Sequence, residues 1–112
     1  MYLPKKDIFD LLSTLDCGVS QTQPTTFNEL PFINFSILDN SLTLTLENEI
    51  AYQDIEVQID IWADTSVEAS NLLSLVEEKM RSENYLMNYS ADVPNPGNIF
   101  HIVSRFNKKG GN

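Results

Sequence analysis

Apolar and polar residues along this chain follow two different periods, and the change from one to the other marks its elements. In YQDIEVQIDIWADTS, residues 52–66, Ile55, Val57, Ile59 and Ile61 recur at every second position with Glu56, Gln58, Asp60 and Trp62 between them. Strand side chains alternate between faces, so this pattern predicts a strand with one apolar face. LPFINFSIL alternates in the same way, with Ile33, Phe35 and Ile37 against Phe32, Asn34, Ser36 and Leu38, and reads as a strand entered through Pro31. Asp39-Asn40-Ser41 has the composition of a turn. Beyond it, Leu42, Leu44 and Leu46 alternate with Thr43 and Thr45 as a further strand, and residues 47–54 turn the chain over.

Helical spacing appears twice. After Pro4, the residues Ile8, Leu11, Leu12 and Leu15 form an apolar stripe, with Gly18 as its stop. Thr65 followed by Glu68 is a capping box, and Ala69, Leu72, Leu73, Val76 and Met80 continue as the stripe of a second helix. Residues 19–29 carry no period and read as a loop, as does the proline-rich SADVPNPGN. IFHIVSRF closes the chain as a strand with Phe100, Ile102 and Phe106 on one face and His101, Val103 and Arg105 on the other, His101 facing solvent. The expected fold is α+β: a small antiparallel sheet of about four strands with two helices packed on one face, in the order α-β-β-β-α-β. Residues 1–106 form a single domain and 107–112 a flexible tail.

Composition narrows the function. Sixteen acidic residues against seven Lys plus Arg give a formal charge of −9 in 112 residues. From Asp7 to Glu78 there is no Lys or Arg at all; Lys5, Lys6, Lys79, Arg81, Arg105, Lys108 and Lys109 lie toward the ends. Such a body repels phosphate backbones and argues against sequence-specific nucleic-acid binding. Cys17 is the sole cysteine, so no disulfide forms within the chain, and a partly buried apolar role suits it. The N-terminus lacks the apolar run of a signal peptide, and no segment approaches a membrane span, so a soluble, intracellular product without membrane contact is expected.

Candidate chemistry is sparse. Glu56 and Asp60 lie four residues apart on one strand face, about 13 Å at roughly 3.3 Å per residue. That exceeds the 5 to 9.5 Å or so between the carboxyls of glycosidase pairs. A metal-dependent hydrolase would need a further acid from the hairpin, Glu47 or Glu49, and no spacing demands one. No glycine-rich phosphate loop, G-x-S-x-G or H-E-x-x-H is present. The residues therefore imply no catalytic site, no metal and no cofactor. They leave a polar face with Trp62, whose indole fits either that surface or the core, acids at a hairpin tip, and Arg105: a surface for protein partners. An intracellular adaptor that binds through this face is one such reading.

Three stretches, LPFINF entering the first long strand, EVQIDIWADTSVEASNLLSLVEEKM running from strand into capped helix, and the closing strand, resemble the tail-terminator or tail-completion proteins of long-tailed bacteriophages and prophages. The likeness spans nearly the whole chain, although residues 19–29 match no motif of that family. It implies a non-enzymatic virion protein that forms a ring, commonly a hexamer, caps the tail-tube protein and joins it to the head connector. Assembly would take place in the host cytoplasm. DNA would pass through an acidic lumen without specific binding. A head-tail connector of the adjacent neck layer is the near alternative. On this reading Glu47, Glu49, Glu56, Gln58, Asp60, Trp62 and Arg105 form the interface.

Overall fold

The computed structural model describes residues 4–15, 17–20, 30–44, 46–47, 50–94 and 97–110. Seven elements follow one another: α1 (Pro4–Leu12), β1 (Gly18–Ser20), β2 (Phe32–Leu44), β3 (Ile50–Ala63), α2 (Ser66–Ser82), β4 (Leu86–Val93) and β5 (Phe100–Gly110). The fold is α+β, with two helices and a five-stranded sheet of order β1-β2-β3-β5-β4. The sheet is mixed rather than antiparallel, because β1 runs parallel to β2 while every other pair is antiparallel.

The core grows from the odd face of β3. Ile55, Val57, Ile59, Ile61 and Ala63 are at most 2% exposed, and they share one cluster with Ile33 and Phe35 of β2, Ile102 and Phe106 of β5, and the buried faces of both helices. α1 contributes Ile8 and Leu12, with Leu15 just beyond it; α2 contributes Ala69, Leu72, Val76 and Met80. Each fully buried aliphatic side chain of this kind contributes about 1.5 to 3 kcal/mol by leaving water.

α2 begins and ends through identifiable caps. Thr65 is extended, and its hydroxyl accepts from the Glu68 N–H at 3.1 Å. The Glu68 carboxylate reaches one residue further back than a reciprocal box requires, accepting from the Asp64 N–H at 3.4 Å. At the other end Asn84 adopts φ 67°, a left-handed conformation that asparagine tolerates, and the Tyr85 N–H donates to the Met80 carbonyl at 3.0 Å. The Asn84 N–H bonds the Arg81 carbonyl, also at 3.0 Å, which completes a Schellman motif. The side chains of Tyr85 and Met80, both buried, supply its apolar contact.

Several expectations are corrected. Asp39–Ser41 does not turn: β2 continues through it, because Leu38 is extruded as a bulge between the Ile37↔Val57 and Asp39↔Glu56 pairs, and the strand resumes its ladder. Gly18 does not stop α1, which ends at Leu12; it opens β1 opposite Phe32, where a Cβ would lie 2.8 Å from the phenylalanine ring. Residues 86–93, of which 90–93 read as the start of a loop and 86–89 carry no expected element, form β4, and β5 continues past Phe106 to Gly110 along β3. The remainder of the 19–29 loop lies outside the described residues. The body measures 54 × 24 × 22 Å, since β2 and β3, at 13 and 14 residues, make a long hairpin.

Candidate interaction surface

The even positions of β3 lie on the face away from the core, and the register assembles their neighbours. Trp62 sits between Phe32 and His101, Asp60 between Asn34 and Val103, Gln58 between Ser36 and Arg105, and Glu56 between Asp39 and Asn107. Side chains directly opposite in antiparallel strands are close enough to interact, and here they do. The Trp62 and His101 rings stack with centroids 3.6 Å apart and planes inclined by 11°.

A connected polar chain crosses this face. The indole N–H of Trp62 donates to Asn34 Oδ1 at 2.7 Å. Asp60 Oδ2 lies 3.3 Å from His101 Nε2, a charge-pair distance without hydrogen-bond geometry, since His101 Nε2 has no hydrogen-bond partner among the described residues. Asp60 Oδ1 accepts from Gln58 Nε2 at 3.1 Å, and Gln58 Oε1 in turn accepts from Arg105 Nε at 3.4 Å. The Arg105 guanidinium lies over the Tyr89 ring of β4, 5.2 Å from its centroid.

The structure divides the sequence-derived set. Gln58, Asp60, Trp62 and Arg105 come together in this chain, and Glu56 lies one step along the same face. Trp62 is 3% exposed and Asp60 7%, so both are buried rather than presented as surface. His101, expected to face solvent, retains 11% of its side-chain exposure because it is sandwiched against the indole. Glu47 is exposed in the turn at the hairpin tip, away from the others, and Glu49 lies outside the described residues. Asn34, Tyr89 and His101 were not among the candidates. The signal for Asn34 and His101 was the register of INF and FHI against IDIW, which becomes legible only once the strand neighbours are known.

A second surface is apolar. Leu38, Leu42, Leu44 and Leu46 are 46%, 40%, 52% and 100% exposed, all on the outer half of β2 or at the hairpin tip. On β4, Leu86 and Tyr89 are also exposed. Clustered exposed apolar side chains of this size mark contact sites more often than idle surface.

Among the described residues, no group of three or more His, Cys, Asp or Glu side chains is placed to hold a metal ion. Nor, among the described residues, is any helix long and apolar enough to cross a membrane. No protein-family model matches the sequence, and no curated protein matches it. Among the described residues the surface presents exposed apolar side chains, stretches of β2 and β4 without a strand beside them, and a hydrogen-bonded polar face.

Proposed function

We propose that this chain is a structural subunit of a long-tailed phage particle that assembles into a ring, caps the tail tube and joins it to the head connector. The observation that carries the reading is the long β2–β3 hairpin. Its outer half exposes three leucines and its tip a fourth, while the inner half is locked into the core. A monomer gains nothing from that exposure, whereas a subunit covers it on assembly.

Charge supports the same reading. The hairpin places Asp39, Glu47, Asp54 and Glu56 on a segment with no cation of its own; β5 sets Lys109 opposite Asp54, and the acids toward the tip and on β2 would give a wall built from such segments a negative outer part that repels DNA. The resemblance of the β3–α2 stretch to tail-terminator proteins supplies the identity of the particle. No catalytic chemistry is assigned to the polar chain around Asp60, in which Trp62 bonds Asn34, Gln58 bonds Asp60 and the His101 ring stacks on the indole.

The test is light scattering of the purified protein, alone and mixed with tail-tube protein. A ring mass, appearing in either condition, is expected. A persistent monomer in both would remove the proposal. In parallel, titration with divalent metal should leave the melting temperature unchanged, because a true metal site stabilises the fold as it loads.

A further inference from the structure

We infer that copies of this chain join edge to edge, with the outer edge of β4 in one copy lying antiparallel against the open edge of β2 in the next. The inference deepens the ring reading above by naming the contact, and it rests on that reading.

The sheet order leaves two edges. β1 covers β2 only along Phe32–Asn34, so among the described residues Phe35–Leu44 has no strand on its outer side. β4 pairs with β5 and with nothing beyond it. The open stretch of β2 is long enough to take all eight residues of β4. An edge strand offers a row of backbone N–H and C=O groups, and proteins that stay single blunt such rows with Lys, Pro or a covering element. Neither FSILDNSLTL of β2 nor LMNYSADV of β4 contains a Lys or a Pro. Both instead expose apolar side chains, Leu38, Leu42 and Leu44 on one edge, Leu86 and Tyr89 on the other.

Each edge strand carries one extra residue, and the β2–β3 pair has a second register shift at Thr43/Leu44 that β4 does not match. Leu38 and Asn88 are the extra residues, and both flank the rung formed by Ile37, Val57, Phe106 and Met87. A bulge bends its strand and increases its twist. With the two bulges at one level Ala91–Val93 would stand opposite Asn34–Phe32, which β1 covers, so β4 takes the open stretch of the neighbour's β2 displaced along the strands toward the hairpin tip.

Direction fixes the partner. β2, β3, β5 and β4 alternate in direction, so β2 and β4 run opposite ways within one copy. A neighbour related by simple rotation therefore sets its β2 antiparallel to this β4, with the helix-bearing faces on the same side. A twofold pairing of β2 with β2 would leave both β4 edges bare. Only the head-to-tail contact uses both of these edges, and closing it into a ring leaves, among the described residues, only the three-residue edge of β1 open.

The experiment uses Leu42→Lys to block the β2 edge and Tyr89→Lys to block the β4 edge, at side chains 40% and 48% exposed. Leu86→Lys serves as a second β4 variant, and the near-ultraviolet signal of the single buried Trp62 verifies folding. Masses are measured by sedimentation, with tail-tube protein added if wild type needs it to assemble. Each variant alone is expected to remain a monomer, and a mixture of the β2-blocked and β4-blocked chains should stop at one copy of each, since one good edge survives on either side. Assembly of the β4-blocked chains at wild-type yield would overturn the inference and indicate β2–β2 pairing. Normal assembly of all variants would overturn it while leaving the ring reading standing. A wild-type chain that stays monomeric in every condition would end both.

Discussion

The two halves of β2 carry the same alternation and meet opposite fates. From Phe32 to Ile37, the residues Ile33 and Phe35 are at most 1% exposed beneath the helices. From Leu38 to Leu44 every residue is exposed, although Leu42 and Leu44 repeat the apolar period. The boundary is the Leu38 bulge. Alternation specifies a strand with one apolar face, but burial requires a second layer, and over the outer half of β2 the described residues supply none. One half is therefore fold, and the other is available for a neighbour.

The sharpest way to break that contrast is to cut into the inner half. Ile59→Ala should destabilise the fold by about 2 to 5 kcal/mol, the range for truncating a fully buried isoleucine, as read from denaturant unfolding. A loss under 1 kcal/mol would mean that the inner half is not the core described here. Asp60→Lys should cost about 2 to 4 kcal/mol, because it places an ammonium beside His101 in a buried site and discards the Gln58 bond. From sequence alone Asp60 reads as surface, where such a reversal would be nearly neutral, so the variant distinguishes the two descriptions. Gly18→Val should cost about 1 to 3 kcal/mol, since its side chain must displace the Phe32 ring. Trp62→Phe should lose about 1 to 2 kcal/mol by stranding the Asn34 carbonyl that the indole N–H satisfies. Leu44→Ser, at the far end of the series, should change stability by no more than about 0.5 kcal/mol yet weaken assembly.

These sites also show what could be read without coordinates. The odd face of β3 and the stripe of α2 were legible, because both repeat their period over many residues and both turn out buried. The cap at Thr65 was legible from two residues. β4 was not, since an edge strand with a burial pattern of mostly exposed and half-buried positions has no face for the sequence to mark. β1 was not, being three residues long and held by its parallel pairing with β2. Asp39-Asn40-Ser41 misled because turn composition was outweighed by the ladder with β3 on either side of the bulge. At the polar face the residue types on β3 were legible, whereas their burial was not: it depends on Asn34 and His101, brought in from β2 and β5 by register.

Hydrogen exchange followed by mass spectrometry across a concentration series, with and without tail-tube protein, tests the central claim most directly. The account predicts that peptides covering Phe35–Leu44 and Leu86–Val93 gain protection together as the protein assembles, while peptides of the inner half of β3 are protected throughout. Exchange in those two strands that stays the same at every concentration and with tube protein present would contradict it.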